Sequence, residues 1–140
     1  MYSFQEIQDI VSMRFGKLGL IKEPQGLYEP IEYILSSKGK RIRPTLLLMA
    51  ANLYLEDLEK AMEPALALEI FHNFTLVHDD IMDNADKRRN KPTIHKKWDP
   101  NTAILSGDAM MIKAYEYLHS YQGVNAAAVY QLFNKTALEV

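Results

Sequence analysis

The chain contains no cysteine, so neither disulfide bridges nor thiolate metal sites are open to it. No apolar run approaches the roughly 18 residues that a membrane-spanning helix needs. The N-terminus lacks the basic start and short apolar core of a signal peptide, and a cytoplasmic protein is the expectation. Neither sign of charge dominates: 16 Lys and Arg stand against 18 Asp and Glu, a net charge of −2. That balance gives no global attraction to nucleic acid or to an anionic membrane. The chain also lacks alternating strand patterns, internal repeats, low-complexity tracts and any clear linker.

What is present is apolar and helical. Hydrophobic residues make up 48% of 140 residues, which excludes a disordered chain and suffices for one compact core. Ser3 and Glu6 read as a capping box, followed by a helical stripe of Phe4, Ile7, Val11, Phe15 and Leu18. Gly16, Gly19, Pro24 and Gly26 mark a connection. Helical patterns follow over 28–37, 44–54, 58–83, 101–121 and 124–140, with Pro64 starting or kinking the third. The segment 84–100 is polar, carries Pro92 and Pro100, and reads as a functional loop. The expected fold is all-α. Met110 and Met111 are expected in the core, and His95 and His119 at the surface.

One stretch concentrates chemistry. His78-Asp79-Asp80-Ile81-Met82-Asp83 is followed by Asp86-Lys87-Arg88-Arg89, which sets dense acid beside dense base. Carboxylates collect divalent metal and arginines collect phosphate, so the pair points to a metal-bound phosphate or diphosphate ester. Asp79 and Asp83 are i and i+4 and share a helix face. Two unpaired carboxylates one turn apart repel; a bound Mg²⁺ converts that repulsion to attraction. Mg²⁺ favours one or two carboxylates with waters and phosphate oxygens completing its octahedron. His72 lies two turns earlier, nearly on the same face, whereas Asp80 is rotated by about 100° from Asp79. The alternative is an exposed acidic helix end balanced by a basic loop.

A second basic segment, Gly39-Lys40-Arg41-Ile42-Arg43-Pro44, joins two apolar runs. Pro44 suits the first turn of the following helix. Basic residues concentrate over Lys38 to Arg43, and of these Lys40, Arg41 and Arg43 then gather where backbone N–H groups are free and the macrodipole is positive, which favours an anion. Alone, such a turn is an ordinary solvated loop; with Asp79, Asp83, Arg88 and Arg89 downstream it becomes a second diphosphate site. The run from Lys87 to Lys97 could touch nucleic acid, but interleaved prolines and the lack of aromatic partners before Trp98 argue against that.

These blocks, with Glu69-Ile70-Phe71-His72 and Gly107-Asp108, resemble the N-terminal half of the trans-isoprenyl diphosphate synthases, the polyprenyl synthetase family. The resemblance runs from roughly Tyr28 to Val140. An acidic DDxxD motif alone is shared with terpene cyclases; combined with GKRxRP upstream and the arginine pair downstream it is highly specific. The resemblance implies a helical bundle of the isoprenoid synthase type, with residues 1–140 the N-terminal part of a single domain. It implies Asp79 and Asp83 as ligands of Mg²⁺ on an allylic diphosphate, and Arg88 as a contact to that diphosphate. Lys40, Arg43, His72 and Arg89 would bind the diphosphate of isopentenyl diphosphate. Phe74 and Thr75, five and four residues before Asp79, would limit product length to farnesyl or geranylgeranyl diphosphate. By helix geometry Thr75 is closer than Phe74 to the face of Asp79, so the ring needs a kink or tilt to reach it.

Family members carry a second aspartate-rich motif, and nothing after Asp108 here is an aspartate. The chain stops inside a helical pattern, so it is expected to be truncated and to have little activity by itself. An apolar helix set cut in mid-bundle would self-associate, and a homodimer is expected. Two other readings stand beside the prenyltransferase: a non-catalytic helical partner subunit, and a metal-dependent phosphohydrolase suggested by His78-Asp79. The latter needs an earlier histidine, and none precedes His72.

Overall fold

The structure is a computed structural model that describes residues 2–37 and 39–140. Lys38, grouped above with the basic turn, lies outside the described residues. Among the described residues the order is α1 (Phe4–Phe15), α2 (Gln25–Leu35), α3 (Ile42–Asn52), a 3₁₀ turn (Leu58–Ala61) and α4 (Met62–Met82). A hairpin of β1 (Lys87–Arg88) and β2 (Lys91–Pro92) follows, then α5 (Ile94–Lys97), α6 (Pro100–Ser120) and α7 (Ala126–Ala137). The all-α expectation holds. No helix is long and apolar enough to cross a membrane among the described residues.

The local signals act as their chemistry requires. Ser3 Oγ accepts from the Glu6 N–H and Glu6 Oε2 accepts from the Ser3 N–H at 2.7 Å, closing the capping box of α1. Asp99 caps α6 through the Thr102 N–H at 2.9 Å, with Pro100 in its first turn. Pro44 sits in the first turn of α3, where its missing N–H costs no hydrogen bond. Other boundaries differ. α2 begins at Gln25, so Gly26 is helical, and the expected single helix over 58–83 divides into the 3₁₀ turn and α4. Pro64 therefore starts α4 and does not kink it. The polar segment 84–100 is folded rather than looped. Thr93, Ile94 and His95 are buried, which corrects the surface placement of His95. Neither ring nitrogen of His95 has a partner among the described residues.

α4 is the axis of the molecule. Its 21 residues span about 30 Å at 1.5 Å per residue, and α6 lies along it. The first half of α4, with Met62, Ala65 and Leu66, packs on Ile7 and Val11 of α1 and Leu48 of α3. The second half, with Ile70 and Val77, packs on Ile31 and Ile34 of α2 and on Ala103, Met110 and Ala114 of α6. Gly107 of α6 has a steric reason: a Cβ there would collide with the ring of His78 on α4. α7 is amphipathic but buries no residue fully, and lies against the outer side of α4.

α4 ends through backbone chemistry. Asn84 adopts φ 49°, its N–H bonds to Ile81 O at 3.1 Å, and the Ala85 N–H bonds to Asp80 O at 2.9 Å. This is a Schellman closure with asparagine in the left-handed position, and it stops the helix just after Asp83. A β-branched residue cannot hold that conformation without a cost of about 1–2 kcal/mol. Asn84→Val is expected to lower stability by about that amount and Asn84→Gly to retain it, as read by urea denaturation.

Candidate functional site

The acidic end of α4 separates into two roles. Asp79 and Asp83 are exposed, one turn apart, and neither has an ion-pair partner among the described residues. Asp80 points the other way and is buried. Its carboxylate receives Arg88 Nε at 2.9 Å and Nη2 at 2.8 Å, a two-pronged ion pair. Arg88 is thus tied to α4, leaving Nη1 without a protein partner among the described residues. No group of three or more acidic or histidine side chains is poised to hold a metal among them. Two free carboxylates are nonetheless the donor set that Mg²⁺ takes when water and phosphate oxygens supply the remainder. Asp79 and Asp83 therefore fit the ion.

The basic side is assembled from three elements. Arg43, at the start of α3, places Nη1 3.2 Å from His72 Nε2 on α4. A guanidinium only donates, so Nε2 accepts and the His72 proton resides on Nδ1. Arg89 arrives from the hairpin turn and donates to Ser37 Oγ at 3.2 Å. Its guanidinium packs on Gly39; a Cβ there would sit 2.8 Å from Nη1. Lys40 is exposed on the same turn, and its carbonyl accepts from Gln8 of α1 at 2.5 Å. Burial, followed by Arg43, holds His72 below its ordinary pKa of 6.5; Glu69 opposes this, and Arg89 and Arg88 add to it. Burial and the neighbouring Arg41 and Arg88 likewise press Arg89 down. The structure thus brings Arg43, His72, Arg88 and Arg89 into one field of positive charge.

Two apolar cavities meet beneath Asp79. One, of about 620 Å³, lies between α4, α6 and α7 and is lined by Phe74, Thr75, His78, Met111 and Tyr115 among others. The other, of about 570 Å³, lies between α3, α4 and α7, with Arg43 and His72 on its wall. Phe71, Thr75 and Asp79 border both. No kink is needed to aim Phe74: the first cavity covers a whole stripe of α4, at 71, 74, 75, 78, 79 and 82. The Phe74 ring sits edge-on to His78 at 4.8 Å and to Phe71 at 5.3 Å.

Several residues take their roles only from the fold. His78 is a brace: its Nε2 lies 3.4 Å from Ile104 O and 3.6 Å from Asp108 Oδ1, both on α6. Phe133 of α7 stacks edge-on with Phe71 at 5.2 Å and Tyr115 at 5.4 Å, closing the far side of the cavity. Its helical spacing marked it as apolar, and nothing local tied it to Phe71.

Comparison with solved structures identifies the fold as of the isoprenoid synthase type. The family described as polyprenyl synthetase matches residues 24–140. A geranylgeranyl diphosphate synthase of Methanosarcina mazei is 38% identical over 122 residues, covering 86% of this chain and 38% of that protein. Heptaprenyl diphosphate synthase component 2 of Geobacillus stearothermophilus is 36% identical, over 100% of this chain and 43% of that one. The crystal structure of a geranylgeranyl pyrophosphate synthase superposes with a TM-score of 0.93 at 47% identity, covering 99% of this chain and 42% of that chain. The chain thus spans about 40% of the length of these relatives.

Two outcomes follow from the charges. With a folded pKa below 6.5, His72 stays neutral where the unfolded chain takes up a proton. Stability is therefore full above 6.5, falls as pH drops through it, and levels off below the folded value. A bound diphosphate reverses the preference, so binding at neutral pH should draw a proton onto His72. Calorimetry with inorganic diphosphate in buffers of different ionisation enthalpy should show more proton uptake for the parent than for His72→Gln; equal uptake excludes His72 from the anion site. Asp79→Ala and Asp83→Ala should leave the metal-free melting temperature unchanged or slightly raised, because like charges are removed. Both should abolish the further rise given by Mg²⁺ with diphosphate. A variant that keeps that rise has lost no metal ligand.

Proposed function

Because the chain belongs to the polyprenyl synthetase family, we propose that the protein is a Mg²⁺-dependent prenyltransferase condensing isopentenyl diphosphate with an allylic diphosphate. The reading rests on one arrangement: a free carboxylate pair at the end of α4 and a cationic cluster beside it share an apolar cavity, which Arg43, His72 and Asp79 all border. Asp79 and Asp83 would hold Mg²⁺, which would supply positive charge to a departing diphosphate. Arg88, oriented by Asp80, adds a fixed guanidinium on that side. Lys40, Arg43, His72 and Arg89 hold the diphosphate of isopentenyl diphosphate on the other. The allylic C–O bond breaks and the diphosphate leaves with the electron pair. The double bond of isopentenyl diphosphate attacks the carbon, and a proton is lost to give a chain five carbons longer. Phe71, Phe74 and Phe133 line the space where that hydrocarbon must be kept from water.

We read residues 1–140 as part of a single all-α domain, and the protein as a cytoplasmic homodimer. Exposed Ile104, Leu105 and Ile112 on α6 support association. A second reading, a helical partner subunit without catalysis of its own, draws on the similarity to a synthase component.

The test uses the protein expressed from its complete gene, with labelled isopentenyl diphosphate, an allylic diphosphate and Mg²⁺. Formation of farnesyl or geranylgeranyl diphosphate is expected. No product unless a second polypeptide is added would favour the partner subunit. Asp79→Ala or Asp83→Ala should lower turnover on the order of 10²–10³-fold. Phe74→Ala should shift the products to longer chains, because it opens the cavity bordered by Met111 and Tyr115. An unchanged distribution would place the floor elsewhere.

A further inference from the structure

The residue at the centre of the basic turn does not face the site. Arg41 is one of the most enclosed charges in the molecule, with its side chain 5% exposed and that of its partner Glu69 3% exposed. Nη1 donates to Glu69 Oε1 at 2.7 Å, and Nη2 donates to the carbonyls of Leu35 and Ser37 at the end of α2. Phe15 of α1 lies under the guanidinium, 4.5 Å from ring centre to Cζ. Glu69 is held in turn by Asn73 Nδ2 at 3.2 Å. One side chain thus joins α1, α2 and α4.

The backbone of Arg41 is equally constrained. It has φ 47°, a left-handed conformation that is strained for a non-glycine residue and persists only when its surroundings enforce it. Its carbonyl accepts from the Thr45 N–H at 3.1 Å and from Thr45 Oγ1 at 2.6 Å, opening α3. The left-handed step reverses the chain between Lys40 and Arg43. It sends the Arg41 side chain inward while Arg43 reaches His72 and Gly39 lies under Arg89.

We infer that Arg41, anchored on Glu69, is a positioning residue that fixes the turn presenting Lys40 and Arg43 to an anion. Its charge contributes through the shape of the turn and not through contact with the ligand. The inference rests on the proposed diphosphate site but not on prenyl transfer.

The experiment titrates inorganic diphosphate without divalent metal, so that Asp79 and Asp83 do not contribute. Arg41→Lys keeps the charge and loses the planar fork; Thr45→Val leaves every charge in place and removes the hydroxyl bond to the Arg41 carbonyl while keeping the backbone one. Arg41→Lys should weaken diphosphate binding about ten-fold, and Thr45→Val about three-fold. In turnover assays KM for isopentenyl diphosphate should rise in both, with KM for the allylic diphosphate within about two-fold of the parent. If Arg41→Lys does not fold, Thr45→Val decides. Folded variants that melt lower yet bind diphosphate as the parent does would overturn the inference, as would a parent that binds none. A parent that binds diphosphate but transfers no prenyl group would sink the proposed function and leave this inference standing.

Discussion

A guanidinium and a carboxylate, both almost wholly out of water, sit where four helices converge. Neither Arg41 nor Glu69 could stay charged there alone, since burying an unpaired ion costs several kcal/mol even after relaxation. Each is satisfied by the other and by further hydrogen bonds from Asn73 and to the carbonyls of Leu35 and Ser37. A pair of this kind is poor evidence of net stabilisation, because an apolar replacement can be as stable. What it supplies is geometry. It ties the end of α2 and the start of α3 to α4, the elements that carry Arg43 and His72.

Backbone strain falls in the same places. The non-glycine residues with positive φ are Arg41, Asn84, Arg89 and Asn90 among the described residues. Asn84 closes α4, and Arg89 with Asn90 forms the two-residue turn of the hairpin, where both central residues take positive φ. Arginine is an unusual choice for that turn. Its guanidinium is received by Ser37 and the bare face of Gly39, which carries the turn back onto the end of α2. The hairpin is also strapped to α2 by Tyr33, whose hydroxyl donates to Pro92 O at 2.9 Å and whose ring lies under Lys97 at 4.0 Å. The cations therefore stand close enough together to repel one another. An anion relieves that repulsion.

The carboxylates follow the opposite rule. Asp80 is consumed by Arg88, whereas Asp79 and Asp83 are exposed and have no ion-pair partner among the described residues. A helix C-terminus is an unfavourable place for negative charge, so the arrangement favours a divalent cation over the empty pair. Like charges are held together in both clusters, and each is complete only with a ligand of the other sign.

Much of this was legible in the chain. Helical periodicity and a capping box sufficed for the all-α fold, because an amphipathic helix must bury one face whatever it packs on. The i, i+4 spacing put Asp79 and Asp83 on one face, since that spacing is a property of any helix. Membership of the family could be recognised from four short blocks. Other features depended on distant partners. Asp80 and Asp79 are chemically identical, and only the hairpin's return of Arg88 distinguishes them. Arg41 looks like Lys40 and Arg43, and only Glu69, 28 residues away, draws it inside. His95 is polar and lies among lysines, yet the fold of 84–98 buries it. Phe74 seemed to need a bend in α4, until α6 and α7 defined a cavity wide enough to include its position. Spacing along one helix is written in the sequence because the helix repeat is fixed. Which charge is buried, paired or free is a balance of desolvation against contacts made across the chain, and only the tertiary structure sets it.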